Sequence, residues 1–236
     1  MKGSVLNHLV NKGQRLLAEV DAKEILREAG IPVNETVIAG SMEEAVELSI
    51  KLGFPVVLKV VSPDVLHKTD AGGVMLNLNG PEQVGEAYDR ILNTVLDKYP
   101  GARIEGVSVQ KMISGGTEII IGMTKDPQFG PMLMFGLGGV LVEVLKDVSF
   151  RIVPLTERDA REMLSEIKGY PLLRGFRGAA PINEDLLVEI LLKLSKFISL
   201  HPEIEEMDIN PLLADKDKII AADARMVLCR NQEGIG

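Results

Sequence analysis

Lys59 interrupts an otherwise apolar run, Val56-Val57-Leu58-Lys59-Val60. An ammonium in a strand of buried pattern is costly to desolvate unless an anion sits beside it. Two readings follow: a phosphate ligand held on a rigid strand, or an edge lysine whose stem snorkels to water. Just downstream, the stretch from Ser62 to Val74 crowds titratable and glycine residues together as His67-Lys68-Thr69-Asp70-Ala71-Gly72-Gly73. Such a loop can present backbone amides, a hydroxyl and the Lys68 ammonium to phosphate oxygens. His67 can move a proton or accept a phosphoryl group, since imidazole is nucleophilic near neutral pH. A lone histidine is more often structural, and His8 and His201 have weaker surroundings than His67.

A second constellation is rich in oxygen donors. In Asp208-Ile209-Asn210-Pro211 the alternation of a strand puts Asp208 and Asn210 on one face. Asp223-Ala224-Arg225 repeats polar residues two apart on the expected neighbouring strand. Hard oxygens of this kind suit Mg2+, which takes one or two carboxylates plus substrate phosphates. An isolated Asp-x-Asn would be a turn or a surface ladder; two such pairs on adjacent apolar strands favour the metal. Arg225 either meets a phosphate or pairs with Asp223.

Other segments carry weaker signals. Gln110-Lys111-Met112 closes a strand where free backbone groups could read an adenine edge, Met112 being otherwise core. Glu118 opens the next strand and either accepts from ribose hydroxyls or faces water. Gly136-Leu137-Gly138-Gly139 lies between two strands, as a phosphate loop or a plain hairpin. Arg174-Gly175-Phe176-Arg177-Gly178 is a basic loop, functional or merely solvated. The sequence has no GxxxxGK[ST] loop and no strand–GxGxxG–helix fingerprint, which excludes those two nucleotide sites.

The elements that must position these residues follow from periodicity and punctuation. The first twenty residues suggest a leading helix. Asp21 with Glu24 reads as a capping box for a helix that stops at Gly30, and Ser41 with Glu44 opens a second that stops at Gly53. Pro32 and Pro55 follow these stops, so both helices should feed strands. The strand at 56–60 is almost wholly apolar and is expected to be central in a sheet. Pro81 begins a third helix that ends before Pro100-Gly101. Strands are expected at Glu105 to Met112, Glu118 to Thr124, Pro131 to Phe135 and Val140 to Leu145, with Asp126 to Gly130 as a hairpin turn. Helices start at Thr156, with Asp159 behind it, and at Asn183, the latter reaching about Leu200. A strand pair closes the chain, Met207 to Leu213 and Ile219 to Leu228.

This order predicts an α+β protein of two lobes rather than one doubly wound sheet. The expected division is a leading segment at 1–20, a small lobe at 21–112 and a large lobe at 113–236, with Ser114-Gly115-Gly116 as the hinge. Aromatics make up only 4% of the 236 residues with no Trp, so Val, Ile, Leu and Met must fill the cores. The net charge of −8 argues against a general nucleic-acid binder, which needs a basic surface. A single cysteine, Cys229, excludes an internal disulfide framework and a cysteine metal cluster. Neither a cleavable signal nor an apolar stretch of membrane-spanning length is apparent, so no membrane and a cytoplasmic location are expected.

Taken together, Val57-Leu58-Lys59, His67 to Val74, Asp126-Pro127-Gln128-Phe129-Gly130-Pro131, Asp208-Ile209-Asn210-Pro211-Leu212 and Asp223-Ala224-Arg225 resemble the ATP-grasp module of ADP-forming acyl-CoA synthetases, from about Leu16 to Val227. Succinyl-CoA synthetase β subunits are similar in plan but lack the His-Lys-Thr-Asp loop, so the acetate-type or general acyl-type branch fits better. The resemblance implies an ATP-grasp fold of two α+β lobes with the nucleotide between them. It also implies the reaction acyl-CoA + ADP + phosphate ⇌ acid + CoA + ATP, with ATP/ADP and Mg2+ as ligands. Lys59 and Lys68 would hold nucleotide phosphates, Gln110 and Met112 border the adenine, Glu118 the ribose, and Gly138-Gly139 form the phosphate loop, with Arg225 close to the nucleotide. Asn210 and Asp223 would ligate Mg2+ with Asp208 beside them, and His67 would be a second phosphoryl relay.

The resemblance further implies a CoA-binding α subunit carrying a phosphorylated histidine, in an α2β2 assembly. The sequence shows no glycine-rich CoA-binding Rossmann segment, so the acyl-CoA half of the chemistry is expected in that partner. Two rival readings are a stand-alone ATP-grasp carboxylate–amine ligase and a nucleotide-sensing module of a protein acetyltransferase. His67 and the lack of an acceptor-binding domain count against the first; intact Lys59, His67, Asn210 and Asp223 count against the second.

Overall fold

The structure is a computed structural model that describes residues 5–65, 67–139, 146–177 and 180–229. The chain divides into two compact units, one of Asn34–Ser114 and one of Met1–Val33 with Gly115–Gly236.

The unit Asn34–Ser114 is built on a four-stranded antiparallel sheet in the order β1 (Thr36–Ala39), β4 (Gly106–Lys111), β2 (Val56–Val61), β3 (Val74–Leu78). Helices α3 (Met42–Leu52) and α4 (Pro81–Lys98) pack on it and on each other. As its apolar run predicts, β2 lies inside the sheet, and all six of its residues are buried. Leu58, Val60, Val107 and Val109 join Val84, Ile91 and Val95 in one core. By two-residue alternation, Lys59, Ser108 and Gln110 fall on the opposite face. Ser41 caps α3 by accepting from the Glu44 N–H, and Glu44 in turn accepts from the Gly40 N–H.

The second unit holds a six-stranded sheet in the order β10 (Ala224–Leu228), β8 (Ile204–Ala214), β5 (Thr117–Asp126), β6 (Gly130–Leu137), β7 (Val148–Ile152), with β9 (Ile219–Ala221) also paired to β8. Helices α1 (Val5–Asn11), α2 (Glu19–Glu28), α5 (Glu157–Glu166), α6 (Tyr170–Leu173) and α7 (Glu184–Leu200) complete this unit. Its core joins Ile119, Ile121, Leu133, Phe135, Met207 and Ile209 of the sheet to Ile25, Leu26, Met163, Leu187, Leu191 and Leu194 of the helices. The alternate residues of the same strands, among them Gly122, Met134, Asp208 and Arg225, therefore occupy the other face. The expected hairpin joins β5 to β6, with Asp126 Oδ1 accepting from the N–H groups of Gln128 and Phe129 at 2.8 and 2.9 Å. Thr156 and Asp159 form a reciprocal capping box for α5, and Asn183 caps α7.

Several expectations are corrected. The Asp21–Glu24 capping box does not form: α2 starts at Glu19 after Ala18, which makes no side-chain cap. The chain is extended up to residue 17, where Leu17 N–H donates to the Met226 carbonyl and Leu16 bridges Val227, so the helix begins directly after that anchor. For the same reason α2 packs in the core with β10 and belongs to the large unit, although the expected small lobe ran from residue 21. After Gly30 only Val33 makes a bridge, to Ala221, and the first strand waits until Thr36. The expected single strand from Ile219 to Leu228 is broken between Ala221 and Ala224. The strand expected at Val140 to Leu145 lies outside the described residues.

One buried ion pair joins two residues of α2 itself: Lys23 Nζ lies 2.8 Å from Glu19 Oε1, with the two side chains only 1% and 4% exposed. Removing one member forfeits the attraction while the other charge stays desolvated, which is worse than replacing both by apolar groups. Lys23→Met should therefore cost about 3–5 kcal/mol in chemical denaturation. Adding Glu19→Leu should recover most of that loss, and a further loss in the double variant would contradict this account of the pair.

Candidate functional site

Lys59 sits on the inner strand β2, opposite Ser108 of β4 and Val74 of β3. At 7% exposure it is not the snorkelling edge lysine of the bland reading, because β2 is flanked on both sides. Its carbonyl accepts from Ser108 Oγ at 3.3 Å. Gln110 continues the same face of β4 and is buried, with Thr36 Oγ1 donating to its Oε1 at 3.0 Å. Lys59, Ser108, Gln110 and Thr36 therefore make a polar strip across three neighbouring strands. The sequence reading missed Ser108 and Thr36. The alternation Val107-Ser108-Val109-Gln110 was the signal that could have found the serine.

The backbone beyond Gln110 is not free as expected. Met112 N–H donates to the Pro55 carbonyl at 3.0 Å, and the Lys111 carbonyl accepts from Asn34 Nδ2 at 3.2 Å. An adenine at Gln110 and Met112 would therefore have to be met by their side chains or by other backbone groups.

The His67 loop is also built differently from the phosphate cradle its composition suggested. Its amides turn inward: Ala71 N–H donates to the His67 carbonyl, Gly72 N–H to Thr69 and Gly73 N–H to Lys68, at 3.0, 3.0 and 2.7 Å. The glycines serve packing, since a Cβ at Gly73 would lie 2.5 Å from Val60 Cγ1. What the loop offers outward is side chains, with His67 exposed and Lys68 half-buried.

In the large unit, Asp208 on β8 stands directly across from Arg225 on β10. Asp223 precedes Arg225 by two residues, in the break between β9 and β10. Ala222 N–H donates to the Pro211 carbonyl at 2.9 Å, in line with the pairing of Ala221 with Leu212, and Asp223 lies between there and the Ala224–Ile209 pair. Burial, and then the charge of Asp223, raise the Asp208 carboxyl above its ordinary value, and Arg225 offsets part of that rise. Asp223 thus stands close enough to oppose the ionisation of Asp208, with the Asn210 amide on the same strand face as Asp208. Among the described residues no group of three His, Cys, Asp or Glu could hold a metal. Two carboxylates and an amide oxygen nevertheless match Mg2+, which takes few protein ligands and keeps positions for water and phosphate.

Glu118 and Gly138-Gly139 come together at the start of β5. Gly138 N–H donates to the Glu118 carbonyl at 2.6 Å, and a Cβ at Gly139 would lie 2.8 Å from Glu118 Oε2. The basic loop after α6 is engaged locally, with Arg174 6.0 Å from the Tyr170 ring centroid and Arg177 5.4 Å from that of Phe176. His201 is structural, bonded to Glu203 at 2.8 Å and stacked on Phe197. No helix among the described residues is long and apolar enough to cross a membrane.

A two-sheet α+β plan with a strand lysine and a carboxylate–amide pair defines a class, and a family model for the ATP-grasp domain matches residues 8–228: the chain belongs to the ATP-grasp family. Within it, the chain is 50% identical over 214 residues to the β subunit of ADP-forming acetate–CoA ligase I of Pyrococcus furiosus, covering 91% of this chain and 92% of that one. It is 46% identical, with a TM-score of 0.92, to acetyl-coenzyme A synthetase 1 of Ca. Korarchaeum cryptofilum solved with coenzyme A, Ca-AMPCP and HgCl+, covering 95% of this chain and 98% of that one. A second structure of that enzyme holds coenzyme A and Mg-AMPPCP with a phosphohistidine segment pointing towards the nucleotide binding site, at 43% identity, a TM-score of 0.82 and the same coverage of 95% and 98%.

The opposed carboxylates give a prediction for the metal-free chain. A carboxyl whose folded-state pKa is raised favours folding while protonated, and that advantage is lost as pH rises above the ordinary value of 3.8. Asp208→Asn removes the penalty, so its Tm at neutral pH without divalent cations should exceed that of the parent. An Asn variant that melts lower at pH 7 would show that Asp208 is instead held by favourable contacts.

Proposed function

We propose that this chain is the nucleotide-handling β subunit of an ADP-forming acetate– or acyl–CoA ligase, catalysing acyl-CoA + ADP + phosphate ⇌ acid + CoA + ATP together with a CoA-binding α subunit. The observation that carries this reading is the placement of Asp208 and Asn210 on β8 beside Arg225 on β10, with Asp223 just before β10, in a chain half identical to such a β subunit over nine-tenths of its length.

In this reading Lys59 and Lys68 neutralise nucleotide phosphate oxygens, and the rigid inner strand fixes the position of the Lys59 ammonium. Asn210 and Asp223 hold Mg2+, with Asp208 at hand. When bound, that ion supplies charge neutralisation between phosphates and so favours transfer of a phosphoryl group. Arg225 meets the phosphoryl group and offsets part of the rise in the Asp208 pKa. Glu118 accepts from the ribose hydroxyls, Gln110 and Met112 border the adenine, and Gly138-Gly139 lie along the phosphates.

His67 takes the phosphoryl group from a phosphohistidine of the α subunit and passes it to ADP. In each transfer the P–N bond breaks, the imidazole keeps its electron pair, and a new P–N or P–O bond forms at phosphorus. The exposed position of His67 supports this role, since a relay must meet a group carried by another polypeptide. The partner carries the CoA site, the assembly is α2β2, and the enzyme works in the cytoplasm.

Mixing the chain with its cognate CoA-binding subunit, acetyl-CoA, phosphate, Mg2+ and ADP should yield ATP. His67→Ala should lower turnover by at least ~100-fold while MgADP affinity by calorimetry stays within about twofold. Normal turnover in that variant removes His67 from the mechanism. An absence of ATP from the parent chain with its cognate subunit removes the ligase reading itself.

A further inference from the structure

His67 is carried by a loop that leaves β2 after Val61 and enters β3 at Val74. The loop is pinned on both sides of the histidine. Three residues before it, Asp64 Oδ2 accepts from the Arg103 N–H at 2.7 Å, and the Asp64 N–H donates to Ser62 Oγ at 3.2 Å. Three residues after it, the Asp70 carbonyl accepts from Lys98 Nζ at 2.8 Å. Val65 and Ala71, next to the two pinned residues, are 2% and 0% exposed and join the core of the unit Asn34–Ser114.

Both supports stand on regular elements. Lys98 closes α4, and one turn earlier Thr94 lies so near the loop that a Cβ at Gly72 would come within 2.7 Å of its Cγ2. Arg103 leads into β4. Two residues on, the Glu105 N–H donates to the Val61 carbonyl at 2.8 Å, which carries the β2–β4 pairing to the foot of the loop. The Arg103 guanidinium pairs with Glu105 at 3.3 Å, so what Asp64 holds is backbone. The His67 ring is exposed and makes no hydrogen bond, ion pair or ring contact among the described residues. Its carbonyl accepts from the Ala71 N–H at 3.0 Å, which ties it to the pinned end. The place of the imidazole is therefore set by the backbone beneath it.

We propose that Lys98 and Asp64 are positioning residues for His67, holding its loop so that the imidazole stands at one place for in-line phosphoryl transfer. The inference rests on the ligase reading with His67 as relay, and adds to it what fixes the relay's position. Transfer falls steeply with misplacement, an error of about 1 Å costing ~100-fold. A side chain on a loop meets such a tolerance only where neighbouring structure supports the loop. Asp64 and Lys98 each supply a charge-assisted hydrogen bond to a backbone atom. Neither touches the reacting atoms. Two other accounts of Lys98 make different predictions: a cation placed only to complement the α4 dipole would affect stability alone, and a nucleotide ligand would affect MgADP affinity.

Single-turnover transfer to ADP from the phosphorylated CoA-binding subunit separates these accounts. Both positioning residues are exposed, so their variants should fold. Lys98→Met and Asp64→Ala should each slow transfer at saturation at least ~10-fold, while Lys98→Arg and Asp64→Asn, which keep a donor and an acceptor, should stay within about threefold of the parent. MgADP affinity and the half-saturating partner concentration should not move. Phosphoramidate, a small donor that needs no alignment with a partner, should phosphorylate His67 equally fast in the parent and all four variants, because the ring itself is unaltered.

A parental transfer rate in Lys98→Met or Asp64→Ala overturns the assignment of that residue and leaves the ligase reading intact, whatever happens to its Tm. Equal losses in the conservative variants, or a loss that follows MgADP affinity, also overturn it. Parental turnover in His67→Ala, measured alongside, removes the relay and this inference with it. No transfer from the parent chain at all is the different result that removes the ligase reading beneath both.

Discussion

A buried carboxylate with a second one close by is an electrostatic cost that a fold retains only where something of opposite charge offsets it. Asp208 is in that position: burial first, and then the charge of Asp223, raise its pKa. Arg225, directly across from Asp208, relieves part of it. A divalent cation held there, as proposed, would offset the carboxylate charge further. The rest of the large unit can be read as support for this arrangement. The helices cover one face of the sheet, the long β8 carries both Asp208 and Asn210, and Asp223 lies between β9 and β10, which both pair with β8.

Lys59 presents the same problem with the opposite sign. An ammonium on an inner strand cannot swing to water as an edge lysine would, so it is held where the sheet puts it. Its neighbours Ser108, Gln110 and Thr36 keep that face polar, while the other side of the same strands is filled by Val and Leu. A fixed cation of this kind needs no reorganisation to meet phosphate oxygens, and that preorganisation is the larger part of what a protein contributes to phosphoryl transfer.

Much of this was legible in the sequence because it depends on local pattern. Lys59 stood out against its apolar run. The two-residue spacing of Asp208 and Asn210 fixed their common face, and the Asp126 turn and the Ser41 and Thr156 caps are written in a few adjacent residues. What could not be read depends on partners distant in the chain. The start of α2 is set by Leu17 bonding to Met226, more than two hundred residues away, and this also moves the helix into the large unit. The engagement of Met112 follows from its bond to Pro55. The His67 loop misled for another reason. Its glycines look like a phosphate cradle in composition, but they are required by close approach to Val60 and Thr94. Composition does not distinguish a glycine that admits a ligand from one that admits a neighbouring side chain.

The most direct test of the central claim is the location of a divalent cation. A crystal of the chain grown with Mn2+ and ADP, measured at the manganese absorption edge, should show an anomalous peak within coordination distance of an Asp223 carboxylate oxygen and the Asn210 amide oxygen, with a nucleotide phosphate completing the shell. Bound ADP with its manganese coordinated away from both residues would contradict the account.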